Sequence, residues 1–124
     1  MKTSRKGFTL IELLVAMTIV AVLMGLALIS YQGARKIARD GKRKTDLEQI
    51  RGALEMYRAD EGEYPGGLSD LGGYITVPQD PVTGDNYPYG PDTASTYELC
   101  AQLEIGGTTA SCAVGTGNYV VRNP

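Results

Sequence analysis

The apolar residues of this chain are concentrated in one long run near its start. Residues 8–29 are almost entirely apolar, and Glu12 is the one charged residue among them. Roughly 20 apolar residues suffice to cross the hydrocarbon core of a bilayer as a helix. The run therefore predicts a membrane-spanning helix with a single acid inside it.

Residues 31–60 follow a different, one-sided pattern. Apolar side chains recur three and four residues apart at Leu47, Ile50, Leu54 and Tyr57. This spacing is typical of an amphipathic helix, and Ile37 extends the apolar stripe. No proline occurs between residues 8 and 59, so both stretches are predicted to form one continuous helix, with Gly25 as its weakest point.

The rest of the chain predicts a small β-rich head. Glycine and proline in residues 61–67 end the helix. Short strands are expected at 74–77, 96–104 and 118–122, and the many turn-forming residues in 79–91 predict a loop between the first two. The predicted fold class is α+β, a long N-terminal helix packed on a small antiparallel sheet.

The distribution of charge predicts an electrostatic partner. Residues 35–58 carry eight basic and four acidic side chains, whereas from residue 60 onward nine acids accompany Arg122 alone. In a homopolymer the partner is the next copy, whose acidic head would lie against the basic helix segment. A solvated or headgroup-contacting face is the favoured interpretation of the basic residues themselves and contact with the next copy is the alternative, while the interspersed acids argue against nucleic acid.

The composition does not favour an enzyme. The 124 residues contain no histidine, and the sequence has no metal-spaced cysteine cluster and no glycine-rich phosphate loop. No catalytic residues and no protein-bound metal are expected.

Glu12 needs an explanation, because a carboxylate in a membrane helix costs on the order of 3 kcal/mol. One explanation is local, since Thr9 and Glu12 have the spacing of a capping box. The other is a counter-ion role, in which cleavage after Gly7 frees the α-amino group of Phe8 and a carboxylate binds it. Glu12 lies one turn from Phe8 in its own helix, but a neighbouring copy offset along the axis would also offer its amine.

Residues 7–14 read Gly-Phe-Thr-Leu-Ile-Glu-Leu-Leu and follow a short basic leader. The segment resembles the class III signal of type IV pilins and type II secretion pseudopilins. A weaker resemblance continues through residues 47–57 and 62–65. The resemblance as a whole implies a pilin-like fold and a structural rather than a catalytic protein.

In that family a prepilin peptidase cleaves after the glycine, here Gly7, and N-methylates the new first residue, here Phe8. The glutamate at the position of Glu12 neutralises the amino terminus of an adjacent subunit during assembly. The resemblance therefore implies a major pilin or major pseudopilin that polymerises with its own copies. A minor pilin that binds DNA, a surface or secretion cargo is the alternative, and pilus and secretion pseudopilus are not distinguished.

The resemblance also implies an organisation and a location. Residues 1–7 would be a removed leader, 8–30 a transmembrane and filament-core helix, 31–60 its amphipathic half and 61–124 the head. The expected partners are other copies, the prepilin peptidase, an inner-membrane assembly platform and the membrane. The head would be exported from a single-pass inner-membrane subunit and end in a periplasmic or extracellular filament, although a count of positive charges favours the opposite orientation.

An exported head of about 60 residues is small for a stable core. Cys100 and Cys112 are the only cysteines, and outside the cytoplasm they are predicted to form a disulfide. Pseudopilins similar to this chain bind calcium in a turn-rich loop. Oxygen donors occur in the corresponding region at Asp80, Asp85, Asn86 and Asp92, but acidic turn residues usually serve turn geometry alone, so no cofactor is the favoured prediction.

Overall fold

A computed structural model describes residues 7–93, 95–106, 112–115 and 117–123. Residues 1–6 of the predicted leader 1–7 lie outside the described residues. The elements are one α-helix, α1 (Leu10–Glu61), a 3₁₀ helix (Leu68–Gly73) and three strands, β1 (Tyr89–Thr93), β2 (Thr96–Ala101) and β3 (Tyr119–Arg122). The chain divides into two compact units between Arg35 and Lys36.

The α-helix passes without a break through Gly25, and it ends where the sequence predicts. Gly62 follows its last residue with a φ of 86°, a left-handed conformation that glycine adopts without steric cost. Its amide donates to the carbonyl of Arg58 over 2.8 Å, the bond that closes an αL helix end.

The sheet is antiparallel, with the order β1-β2-β3. The sequence prediction missed β1, because Gly90 and Pro91 are turn formers. Pro91 is tolerated since β1 is an edge strand, and the register shifts between Pro91 and Thr93. The predicted α+β class is confirmed.

The predicted strand at residues 74–77 is wrong. Tyr74 instead caps the 3₁₀ helix, and its amide donates to Leu71 over 2.9 Å. Tyr74, Ile75 and Val77 pack against the core. Their apolar character therefore reflects side-chain packing rather than strand pairing.

The second strand ends at Ala101, three residues earlier than predicted. Beyond the end of the strand, the side chain of Asn118 provides the hydrogen bonds to the backbone of Leu103. Its side-chain oxygen accepts the Leu103 amide over 2.6 Å, and its side-chain nitrogen donates to the Leu103 carbonyl over 3.0 Å.

The core lies between α1 and one face of the sheet. The predicted stripe residues Leu47, Ile50 and Leu54 are completely buried, and Tyr57 is partly buried against them. Ile37 is 63% exposed, so the predicted extension of the stripe is wrong. The buried face of α1 continues toward the N-terminus with charged residues instead, at Asp40, Arg43 and Asp46.

The other face of the sheet is covered by residues 112–115. A disulfide joins Cys100 of β2 to Cys112, with Cα atoms 6.3 Å apart, as the sequence predicts. Val114 packs so closely on Gly90 that a Cβ there would lie 2.3 Å from Val114 Cγ1. Both faces of β2 are therefore buried.

Candidate functional site

The predicted cleavage point precedes the helix. Gly7, Phe8 and Thr9 lie outside any helix or strand, and all three are exposed, Phe8 by 81%. A Cβ added to Gly7 would meet no atom within 4 Å. The Gly7–Phe8 peptide bond is therefore accessible to an enzyme in this conformation.

The first turn of α1 has the geometry of a partial capping box. The Glu12 amide donates to Thr9 Oγ1 over 3.3 Å, and Thr9 Oγ1 donates to Glu12 Oε2 over 3.5 Å. Both contacts are long, and the Glu12 carboxylate is exposed. No ion pair to Glu12 occurs in the part of the chain that the structure describes.

The first unit exposes its apolar side chains. From Phe8 to Ile29 every large apolar residue is exposed, and α1 contains a window long and apolar enough to cross a membrane. Grooves on this helix surface are lined by side chains such as Leu13, Met17 and Ala21. Such a surface is stable only in lipid or against other apolar helices.

In the second unit, Arg43 is the centre of an ionic cluster. Its side chain is 5% exposed and donates to Asp80 Oδ2 over 2.6 Å and to Asp40 Oδ1 over 2.9 Å. Glu104 is shared between Arg43, at 3.2 Å, and Arg39, at 2.6 Å. We call Arg39, Asp40, Arg43, Asp80 and Glu104 the Arg43 cluster.

The cluster favours the charged form of each acid. Hydrogen bonds from Arg43 lower the pKa of Asp80 to about 2, against the effect of burial. Arg39 lowers the pKa of Glu104 to about 2 in the same way. Burial opposes ionisation of Asp40, but hydrogen bonds from the Glu104 and Ile105 amides and from Arg43 outweigh it and lower its pKa.

The cluster joins three parts of the second unit. Arg43 lies on α1, Asp80 lies in the loop between the 3₁₀ helix and β1, and Glu104 follows β2. The sequence predicts a solvated or headgroup-contacting face for the basic residues of 35–58, whereas two of them, Arg39 and Arg43, bind acids of their own chain. Arg43 lies four residues before Leu47 and Arg39 eight, a spacing that places both on the side of the helix that carries Leu47, and this was the available signal.

Of the four donors considered for calcium, Asp80, Asp85 and Asn86 line one surface pocket, and two of these three bind other side chains of the chain. Asp80 is neutralised by Arg43 and also accepts the Val82 and Thr83 amides. The Asp85 amide donates to a threonine hydroxyl, Asn86 pairs with Gln79, and Asp92 lies in β1. A hard cation needs several oxygen ligands, and we derive no role for calcium; the prediction that the chain binds no cofactor stays untested.

Another buried acid, Glu98, lies beside the disulfide. Its Oε2 accepts the Ala113 amide over 2.8 Å, and its Oε1 accepts Arg122 Nε over 2.7 Å. These hydrogen bonds, the Arg122 one foremost, lower the pKa of Glu98. The sequence pattern around Glu98 does not predict a role for it.

Comparison with known proteins agrees with the sequence motif. Residues 2–28 match the model of the prokaryotic N-terminal methylation motif. The chain is 31% identical to the type II secretion system core protein G of Vibrio cholerae, over 95% of this chain and 97% of that protein. The protein of the same name from Klebsiella pneumoniae is 34% identical, over 69% of this chain and 61% of the relative.

A fimbrial protein of Neisseria meningitidis is 36% identical over 58% of this chain and 42% of its own length. The chain thus spans about six-tenths of the Klebsiella pneumoniae relative and less of the Neisseria meningitidis one. No solved structure matches the chain significantly. The near-complete match with the Vibrio cholerae protein and the methylation motif together show that the chain belongs to the type IV pilin and pseudopilin family.

Proposed function

We propose that this chain is a structural subunit, a major pseudopilin or pilin, that polymerises into a filament after removal of its leader. The observation that carries the proposal is the helix surface of residues 8–29, whose large apolar side chains are all exposed. A lipid bilayer and a bundle of such helices are both apolar. The helix can therefore pass from one to the other at little hydrophobic cost.

The processing step follows from the family. A prepilin peptidase would cut the exposed bond between Gly7 and Phe8 and methylate the new amino group of Phe8. Before assembly the subunit would reside in the inner membrane with its head exported. An assembly platform would then move it into a periplasmic or extracellular filament. No enzymatic activity of its own is needed for this role.

Glu12 would then act between subunits. The free amino group of Phe8 in one copy and the Glu12 carboxylate of its neighbour attract each other by about 4 kcal/mol at 4 Å and an effective dielectric constant near 20. This is comparable with the cost of placing the carboxylate in an apolar environment. The pair would also fix the axial offset between neighbouring helices.

The test separates this role from helix capping. Glutamine serves in a capping box as glutamate does, so Glu12→Gln preserves the cap and removes the charge, while Thr9→Ala weakens the cap and keeps the charge. We expect Glu12→Gln to lose filaments and Thr9→Ala to retain them, with cleavage and membrane insertion normal in both. Filaments are sheared from cells and quantified by mass spectrometry, which also reports the Phe8 terminus, its methylation and the abundance of the subunit.

Two results would contradict the proposal. Wild-type filament yield from Glu12→Gln would reduce Glu12 to a helix cap. A subunit that is cleaved but scarce in sheared filaments would instead favour the alternative, a minor pilin.

A further inference from the structure

A groove lies on the helix surface at the C-terminal end of the apolar run. Its volume is about 380 Å³, within the range of about 300 to 1,000 Å³ that is typical of small-molecule sites. The lining is apolar apart from one hydroxyl group and is formed by Met24, Ala27, Leu28 and Tyr31. The groove therefore suits a hydrocarbon chain better than a polar ligand.

A cation lies on the same side of the helix as the groove. Steps of four, three and four residues place four side chains on one helix face, in the order Met24, Leu28, Tyr31 and Arg35. The Arg35 Cζ atom lies 5.6 Å from the centre of the Tyr31 ring. The Arg35 side chain therefore extends back toward the N-terminus of the helix, and its charge lies beside the end of the groove.

The guanidinium of Arg35 has no acid partner among the residues that the structure describes. Its side chain is exposed and contacts the Tyr31 ring. The five N–H donors of a guanidinium form a planar fork that fits a phosphate group. Glu12, the only acid in the described part of the first unit, lies 23 residues away, about 35 Å along the helix. A phosphate at Arg35 would therefore meet a cation and no competing carboxylate.

The position of Tyr31 and Arg35 along the helix matches the headgroup layer of a bilayer. Residues 10–29 rise about 30 Å, which is the thickness of the hydrocarbon core. Tyr31 follows about 3 Å later, at the level where tyrosines are enriched in membrane proteins. The Arg35 backbone lies about 9 Å beyond residue 29, and its side chain reaches back into a headgroup layer of roughly 5 to 8 Å.

We propose that the membrane-stored subunit binds one anionic phospholipid on this face, with an acyl chain in the groove and the phosphate at Arg35. An anionic headgroup fits better than a zwitterionic one, because the first unit offers no carboxylate near Arg35 to bind a headgroup amine. The helix of another copy would compete for the same apolar surface, so the lipid must leave before such a helix packs there. This inference rests on the membrane-stored state proposed above.

The experiment uses the full chain reconstituted into phosphatidylcholine vesicles that contain a trace of spin-labelled lipid. Electron paramagnetic resonance separates lipid held by the protein from free lipid, and it gives the association constant of labelled phosphatidylglycerol relative to labelled phosphatidylcholine. For the wild type we expect a ratio of about 5, as for one basic residue that attracts an anionic lipid. Resistance to extraction by alkaline carbonate reports membrane insertion separately.

Arg35→Gln should reduce this ratio most of the way to 1. Lys36→Gln is the matched control, because Lys36 is also exposed and the substitution removes the same charge one residue further along the helix. The control should keep most of the wild-type preference, since the ring of Tyr31 is contacted by Arg35. Equal losses in the two variants would mean that a general positive field attracts the lipid, and they would overturn the proposed site.

A second pair of variants tests the groove without changing a charge. Ala27→Leu fills the groove and should lower the ratio at least about 2-fold, because the acyl chain and the phosphate belong to one molecule and bind together. Ala21→Leu is the control, since Ala21 lines other grooves of the same helix, and it should keep the wild-type ratio. A ratio unchanged by Ala27→Leu would overturn the inference.

The insertion measurement separates this inference from the proposed function. A wild-type chain that inserts but shows no preference, for instance because another copy covers the groove, would overturn the lipid site alone. A chain that does not insert would overturn the proposed function and the lipid site together.

Discussion

Arg43 of α1 donates a hydrogen bond from Nε to Oδ2 of Asp80, 37 residues further along the chain, over 2.6 Å. The same guanidinium binds Asp40 one turn earlier on the helix and Glu104 beyond β2. A small head with a limited apolar core thus fixes two of its loops to the helix through one buried cation. The stability of the head should depend on that cation more than on its surface charges.

We expect Arg43→Met to destabilise the head by about 3 to 5 kcal/mol. The variant keeps much of the side-chain volume but leaves the buried Asp40 and the partly buried Asp80 without their counter-ion, which is costly in a low-dielectric site. The measurement is urea unfolding of the full chain in a nonionic detergent, followed by the near-ultraviolet circular dichroism of the head tyrosines.

Arg51→Met is the control for that measurement. Arg51 pairs with Glu48 over 3.2 Å, and about half of each side chain is exposed. Exposed pairs contribute at most about 1 kcal/mol. If the two variants lost equal stability, the Arg43 cluster would be no more than a set of surface ion pairs.

The cluster also predicts a dependence of stability on pH. The pKa values of Asp80 and Glu104 lie near 2 in the folded head, below the value of about 4 typical of unfolded chains. The two ionised carboxylates therefore make their full contribution to the free energy of unfolding above about pH 5. This contribution is lost as the pH falls from about 4 toward 2. The free energy of unfolding, measured by urea titration from pH 7 to pH 2, should fall most steeply in that window.

Asp80→Asn should flatten that slope, because the residue no longer takes up a proton on unfolding. It should also lower stability at neutral pH, since Arg43 loses a charged partner. Asp85→Asn is the control, because Asp85 lies exposed in the same loop. A slope unchanged by Asp80→Asn would mean that other acids cause the acid sensitivity.

The sequence predicts well those features that depend on local pattern. Leu47, Ile50 and Leu54 identify the buried face of α1, and Gly62 its end, because helical spacing and left-handed glycine are local signals. Gly7, Phe8 and Glu12 form a linear motif, so the resemblance could assign their roles without a structure. Their predicted partners belong to other molecules, and those roles remain proposals.

The sequence predicts poorly those features that depend on tertiary contact. Asp40 and Arg43 continue the buried stripe, but charged side chains suggest solvent until Asp80 and Glu104 are seen beside them. Gly90 and Pro91 suggest a turn, yet an edge strand accepts Pro91. The need for glycine at position 90 comes from Val114, which packs directly on it. This contact forms only in the folded chain, so the sequence does not show it.

We expect Gly90→Ala to destabilise the head by about 1 to 3 kcal/mol. Its Cβ would lie 2.3 Å from Val114 Cγ1, and overpacking of this kind forces side chains or backbone to move. Val114→Ala removes the clashing atom, so the double variant should recover most of the loss in a double-mutant cycle of unfolding free energies. Gly66→Ala, where a Cβ meets no atom within 4 Å, should show no clash, and an additive cycle would contradict the predicted contact.

Two buried tyrosines predict opposite effects of the same substitution. The Tyr97 side chain is 1% exposed, and its hydroxyl has no hydrogen-bond partner among the described residues, whereas the Tyr87 hydroxyl donates to Asp46 Oδ2 over 2.9 Å. Tyr97→Phe removes a hydroxyl that is buried without compensation, so it should leave the free energy of unfolding unchanged or raise it by up to about 1 kcal/mol.

Tyr87→Phe should instead lower the free energy of unfolding by about 1 to 3 kcal/mol, because it takes away one of the hydrogen bonds to a buried carboxylate. Both variants keep the aromatic ring, so packing is matched and the difference isolates the two hydroxyl groups. Equal losses in urea unfolding would mean that the Tyr97 hydroxyl is satisfied in solution, by water or by a part of the chain that the structure does not describe.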